Sequence, residues 1–339
     1  MSKFEATFDG VTTDVEETRI DWLQNYLFTR VVVPGKIILS DWRGRVGLSI
    51  VIAYLFMGTV AIYLTEPPVY GEGARQIQAF QTPEHPLGTD AFGVDIMRQI
   101  LYSTPEMLMI VFGGATFAIA VAAIVGLTAG YKGGRVGQTL MTFTDVALTL
   151  PGLPLIIVII AVFQPQHPII IGVILSINAW AGLARTLHSQ TLSLRVENYV
   201  EASTFMGVRL HSILLKDILP NVMPYIAVNY MNAARNVIFA AVALYYLGLL
   251  PYRRENWGTM LDTGFQTVNI MQPTRATLFY IPLLTILLFS VGLILLAQSL
   301  DALFNPRIRA RHEDSERAIA DEGATVTAGG DREAAGDSR

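Results

Sequence analysis

The residues of this chain that could do chemistry fall in two places: a polar stripe inside an apolar stretch, and a polar loop between two apolar stretches. Asn229, Asn232, Arg235 and Asn236 recur at helical spacing, on one face, in an otherwise apolar run. Polar and ionisable groups within a membrane face a bundle interior or a water-filled path. Carboxamides with one guanidinium would suit a peptide backbone and its carboxylate without demanding any particular side chain. The same stripe would equally serve hydrogen bonds between helices that only hold a bundle together. The loop runs Tyr199-Val200-Glu201-Ala202-Ser203-Thr204-Phe205-Met206-Gly207 and on to Ile218-Leu219-Pro220-Asn221. Its flanks are so apolar that it must return to water there. Small residues, a central Gly and a terminal Leu-Pro-Asn make it too regular for a casual linker, and suggest a surface on which a driving partner docks.

Other chemistries find less support. Asp145 reads as a structural partner for a loop arginine rather than as a proton relay. The separations of His85, Asp90 and Asp95 fit no tight coordination loop, and Thr89, Asp90 or Asp95 more naturally caps a helix beginning near Phe92. Nickel would want imidazole or thiolate ligands, and the chain has five histidines and no cysteine. Gly133-Gly134 is followed by Arg135-Val136, not by a phosphate-gripping lysine. ATP hydrolysis by this chain is therefore not expected. There is no nucleophile elbow and no His-Glu-x-x-His, so an enzyme is unsupported. No catalytic residue, metal site or cofactor site is expected in the chain, and no nucleic-acid partner.

The elements that must position these residues are membrane helices. Of 339 residues, 52% are hydrophobic and only 15% charged, and the mean hydropathy is +0.44. A helix needs about 20 apolar residues to cross the hydrocarbon core. Six stretches qualify: Val46 to Leu64, Met107 to Ala129, Thr139 to Phe163 with Asp145 and the prolines 151 and 154, His167 to Leu187, Leu219 to Leu250, and Leu278 to Leu300. Lys and Arg near span ends mark the cytoplasmic side. Arg30, Lys36, Arg43 and Arg45 precede the first span, Lys132 and Arg135 follow the second, Arg185, Arg195, Arg209 and Lys216 lie between the fourth and fifth, and Arg307, Arg309 and Arg311 follow the sixth. Both termini are thus expected in the cytoplasm of a multi-pass protein of the cell membrane, with the lipid bilayer as its solvent.

The chain divides accordingly. Residues 1–45 are a cytoplasmic N-terminal region in which 21–41 reads as an amphipathic segment, lying either on the inner leaflet or against the protein's own membrane part. These residues show no short apolar core followed by a cleavage site, so no signal peptide is expected. The first span is 46–64, a long extracytoplasmic loop is 65–106, and five spans fill 107–300. The tail, 301–339, is acidic, rich in Ala and Gly, and expected to be disordered.

Within the loop, Leu192 to Met206 favours helix and Gly207 interrupts it, a bend between two short helices. Ala202 and Ser203 would let another backbone approach, and Glu201 could pair with a partner or with Arg195. Val208, Leu210, Ile213, Leu214 and Ile218 can face the membrane while Arg209, Ser212, Lys216 and Asp217 face water. Pro220 suits the first turn of the next span. An ordinary amphipathic loop helix that docks on nothing would show the same pattern.

The loop resembles the EAA loop of the membrane subunits of ATP-binding-cassette importers: Glu201, Ala202 and Gly207 match, Ser203 stands for the second Ala, and Ile218-Leu219-Pro220-Asn221 closes it. The resemblance narrows to the second permease of dipeptide, oligopeptide and nickel importers. It is carried by His85-Pro86-Leu87-Gly88-Thr89-Asp90 with Gly93 and Asp95, by Ala129-Gly130-Tyr131, by Asp145 with Pro151, by Trp180, Ala184 and Arg185, by Tyr246-Leu247-Gly248-Leu249 and Trp257-Gly258, and by Leu300 with Asn305-Pro306-Arg307. Asp217, His188, Ala241, Leu250 and Gln298 depart from the family's usual residues. The resemblance implies an all-α, six-span type I importer permease. Glu201, Ala202, Ser203, Gly207, Arg209, Leu219 and Pro220 would form its coupling element, and Asn229, Asn232, Arg235 and Asn236 its path. It implies as partners a homologous second permease, two ATPase subunits that bind ATP and magnesium, and an extracytoplasmic substrate-binding protein. The expected cargo is di- or oligopeptide. Nickel or another small solute in the same machine, or a non-energised channel or scaffold subunit, are the alternatives.

Overall fold

The computed structural model describes residues 38–251 (70, 72, 73 and 76 excepted), 256–267 and 277–304. The amphipathic segment over 21–41 and the acidic tail therefore lie almost entirely outside the described residues. Every regular element among those described is a helix, as hydrocarbon requires of a backbone that must satisfy its own polar groups.

Helix α1, Trp42–Phe56, starts at Asp41, whose carboxylate accepts from Arg43 N–H at 3.2 Å, and runs on through a π turn at Met57–Ala61 to Leu64. The spine is α2, Ile96–Lys132. It begins well before the expected Met107, because Asp95 caps it by accepting from Arg98 N–H at 3.0 Å. The cap is thus Asp95 and the start is Ile96, not Phe92.

Two expected spans are each broken in two. Helices α3, Gly134–Thr149, and α4, Gly152–Phe163, meet at 84°. Leu150, ahead of Pro151, is extended rather than helical, as the ring of a following proline favours. Helices α5, Pro168–Leu175, and α6, Trp180–Leu194, meet at 63°. The two breaks touch: a Cβ on Gly152 would lie 2.7 Å from Asn178 Nδ2. Thr139–Phe163 and His167–Leu187 are therefore not single straight helices.

After the loop helix α7, Asn198–Phe205, a helical turn at Leu210–Ser212 and a π turn at Ile213–Ile218 lead into α8, Leu219–Tyr246. Helices α9, Trp257–Thr267, and α10, Thr277–Phe304, complete the bundle. Among the described residues, three helices are long and apolar enough to cross a membrane, or up to five if each bent pair is one span. The bundle is thus all-α and multi-spanning. Helix α8 has 28 residues, and such a length reaches about 42 Å, but its Asn and Arg positions lower its apolarity.

The spine packs on α5, α6 and α8. Glycine allows the close approach: a Cβ on Gly126 would sit 2.5 Å from Ala184 O, and one on Gly114 would sit 2.7 Å from Gly172 O. One core cluster joins Met107, Ile110, Ile171, Ile238, Tyr245 and Trp257. A second joins Trp180, Ala184 and Leu187 to Val200, Ile213, Ile218 and Val222. This second cluster carries the polar loop.

Candidate functional site

The loop is a rigid projection rather than a slack connector. Its helix does not run unbroken from Leu192: α6 ends at Leu194, and a turn over 195–197 precedes α7. Arg195, at that turn, donates to Gly130 O at 3.5 Å, so it faces the end of the spine rather than Glu201. Helix α7 stops where Gly207 was expected to stop it. Gly207 has φ 72°, its N–H donates to Thr204 O at 3.0 Å, and Val208 N–H donates to Ser203 O at 3.1 Å. These two bonds make a Schellman ending, whose left-handed residue favours glycine.

Three side chains root the loop. Val200, Ile213 and Ile218 are buried in the second core cluster. The Tyr131 and Thr204 hydroxyls lie 3.0 Å apart, tying the end of α2 to α7. Asn221, at the start of α8, donates to the Tyr199 hydroxyl at 3.2 Å and to Asp217 O at 2.6 Å. Burial, then the Glu197 and Asp217 carboxylates, hold the Tyr199 hydroxyl protonated above the usual tyrosine range. Leu219 and Pro220 form the first turn of α8.

Most of the residues expected to meet a partner are exposed. Glu201, Ala202, Gly207 and Arg209 are exposed and Ser203 is half-buried. Beside them Phe205 is 82% and Met206 73% exposed. Two large apolar side chains on a water-facing loop tip, next to a carboxylate, form a surface suited to a partner. Neither Phe205 nor Met206 stands out in the sequence, since both read as ordinary members of a helical run.

The polar stripe lines a cavity. Asn229, Asn232 and Asn236 of α8 face a space of about 290 Å³, together with Ser176 and Ala179 from the α5–α6 break and Ala118 of the spine. Asn229 Nδ2 donates to Tyr225 O at 2.8 Å. Arg235 is not among the lining residues. It follows Asn229 by six residues, about 120° around the helix, and donates to Asn236 Oδ1 at 3.4 Å. Ser176, which the sequence did not single out, is fully buried and its hydroxyl has no hydrogen-bond partner.

The acidic residues elsewhere do structural work. Asp145 pairs with Arg185, on helix α6 rather than in a loop. Asp90 accepts from Phe92 N–H at 2.8 Å, Val94 N–H at 2.9 Å and Gln99 Nε2 at 2.8 Å. Asp95 lies 2.8 Å from His85 Nδ1 while capping α2. Asp90 and Asp95 thus shape the segment that leads into α2.

Comparison with known proteins places this architecture. Residues 122–310, more than half of the chain, match the family model described as the binding-protein-dependent transport system inner membrane component. A dipeptide transport system permease protein of Bacillus subtilis (strain 168) is 30% identical over 225 residues, covering 66% of this chain and 69% of its own length. A dipeptide transport system permease protein of Alkalihalophilus pseudofirmus is 28% identical over 268 residues, 78% of this chain and 86% of its own. An oligopeptide transport system permease protein of Haemophilus influenzae is 32% identical over 187 residues, 55% of this chain and 60% of its own. The matched region holds the rooted loop and the α5, α6 and α8 walls of the polar cavity, with the last part of the spine from Ala122. The chain belongs to the family of binding-protein-dependent transport system inner membrane components, whose members are transport subunits and not enzymes.

Proposed function

We propose that this chain is the permease subunit of an ATP-binding-cassette importer for di- and oligopeptides, forming half of the pore. The observation that carries the reading is α7: a short helix with an exposed Glu201, Phe205 and Met206, ended at Gly207 and rooted by Val200, Ile213 and Ile218. It has the build of a coupling helix. An ATPase subunit that seats on Glu201, Ala202, Ser203, Gly207 and Arg209 would push on a rigid body rather than on a flexible strap. Leu219 and Pro220 carry that push into α8, and the Tyr131–Thr204 contact carries it to the spine.

Six spans with both termini in the cytoplasm are the topology that this function needs. The two bent pairs count as one span each, and α8 crosses with its Asn face turned to the path rather than to lipid. Asn229, Asn232 and Asn236, with Arg235 at their edge, line the route. The partners are a homologous permease, two ATPases that bind the nucleotide and magnesium, and an external binding protein that presents the peptide. Peptide cargo is supported by the names of the related permeases.

The test is reconstitution. The chain is co-expressed with its partner permease, ATPases and binding protein, and the complex in vesicles is given ATP and a mixture of short peptides. ATP-dependent peptide uptake is expected. Uptake of nickel in its place, or passive flux that ignores ATP, would refute the proposal.

A further inference from the structure

We infer that Ser176 completes a charge-free subsite with Asn229, Asn232 and Asn236, which takes backbone amide groups of a passing peptide rather than its charged ends. The inference deepens the reading of the polar stripe as a path and rests on it. Three observations converge. The cavity that these four residues help to line measures about 290 Å³, just under the range of about 300–1,000 Å³ typical of small-ligand pockets, so it admits a short piece of a peptide and not a folded chain. No charged residue lines it: Arg235 is not among the lining residues and its guanidinium is engaged by Asn236 Oδ1 at 3.4 Å. The hydroxyl of Ser176 is buried without a partner, and Asn232 has no side-chain partner among the described residues.

A buried hydroxyl with no partner is disfavoured, and native structures keep few of them. Ser176 closes the end of α5 at the break before α6. Serine hydroxyls inside helices can settle on the carbonyl four residues back, as Ser290 does on Ile286 O at 2.8 Å, but the Ser176 hydroxyl does not. Alanine would fill the same space without the penalty. A hydroxyl and three carboxamides offer both donors and acceptors, which matches the alternating C=O and N–H of an extended peptide whatever its side chains. A terminal carboxylate or ammonium would leave water for a wall lined by no charged residue, which is costly. The subsite therefore favours the interior of a peptide and is indifferent to its sequence.

The chain has no cysteine, so a cysteine introduced into it is the only thiol of this subunit. The complete complex in vesicles, fed with a casein digest through its binding protein, is treated with a small methanethiosulfonate reagent. In S176C and N232C, reaction during ATP turnover should be slowed by the digest. S176A should assemble with its ATPases in the normal ratio and unfold at the same or a higher temperature, yet import about fivefold more slowly, the scale of one hydrogen bond. A purely structural Ser176 would leave import unchanged in S176A. Normal import by S176A, or an S176C that is never protected while N232C is, overturns the subsite and leaves the path standing. Protection at neither position during active import removes the path reading itself. If the unmodified complex imports none of the digest, the peptide assignment falls and the subsite with it.

Discussion

Replacing Gly207 by Val tests the coupling helix most directly. Gly207 holds φ 72°, and a Cβ there would meet no atom within 4 Å. The substitution therefore creates no clash within this chain, and its cost is conformational. An L-residue in the left-handed region costs about 1–2 kcal/mol, and a β-branched one sits at the upper end of that range. The anchors resist: burial of Val200, Ile213 and Ile218 contributes about 1.5–3 kcal/mol each. The strain thus opens the turn after α7 without detaching the loop. One or two kcal/mol corresponds to a population change of about 5–30-fold, so ATPase docking should weaken by that factor from strain alone. The open space beyond the Cβ is where a docked partner would lie, and a branched side chain there weakens docking further. The assay is co-purification of the ATPases with tagged permease, paired with import by the same cells. G207V should reach the membrane, lose most of its ATPases and fail to import. G207N separates the causes, since asparagine tolerates a left-handed backbone and should retain more docking than Val. A G207V complex with its full complement of ATPases and normal import would refute the coupling assignment.

Four further outcomes are expected. Glu201→Lys, on an exposed position, should leave membrane insertion intact and release the ATPases by placing a cation against their surface, read by the same co-purification. R235Q should assemble normally and import peptides several-fold more slowly, and unchanged uptake would show that the guanidinium has no part in the path. Gly126→Val should abolish assembly, because its Cβ would lie 2.5 Å from the Ala184 carbonyl and backbone cannot step aside; the measurement is detergent-solubilised yield by size-exclusion chromatography. Single cysteines at Ser2, Ser338 and Gln81 should report the topology: an impermeant thiol reagent on intact cells should label only the cysteine at 81, and labelling at either terminus would overturn the orientation.

Local signals carried far in this sequence. Gly207 and Pro220 were legible as the end of one helix and the first turn of another because φ > 0 and a missing N–H are properties of single residues. The apolar runs announced an all-α membrane protein, because hydrocarbon admits few other backbones. The spacing of Asn229, Asn232, Arg235 and Asn236 read as one polar face of one helix; the structure keeps the three asparagines on the cavity and leaves Arg235 off its lining.

What hydropathy alone left open was the path of the chain within those runs. Thr139–Phe163 and His167–Leu187 have the composition of straight spans, yet both bend, and the bends meet where Asn178 lies against Gly152. A run of apolar residues sets how much surface must leave water, not the direction in which it leaves. Likewise the side chain of Arg195, at the end of α6, turns to the Gly130 carbonyl, a contact between residues far apart in the chain. Ser176 is one more small polar residue in an apolar stretch until α2 and α8 close around it. Whether a hydroxyl has a partner depends on neighbours that only the packed structure supplies.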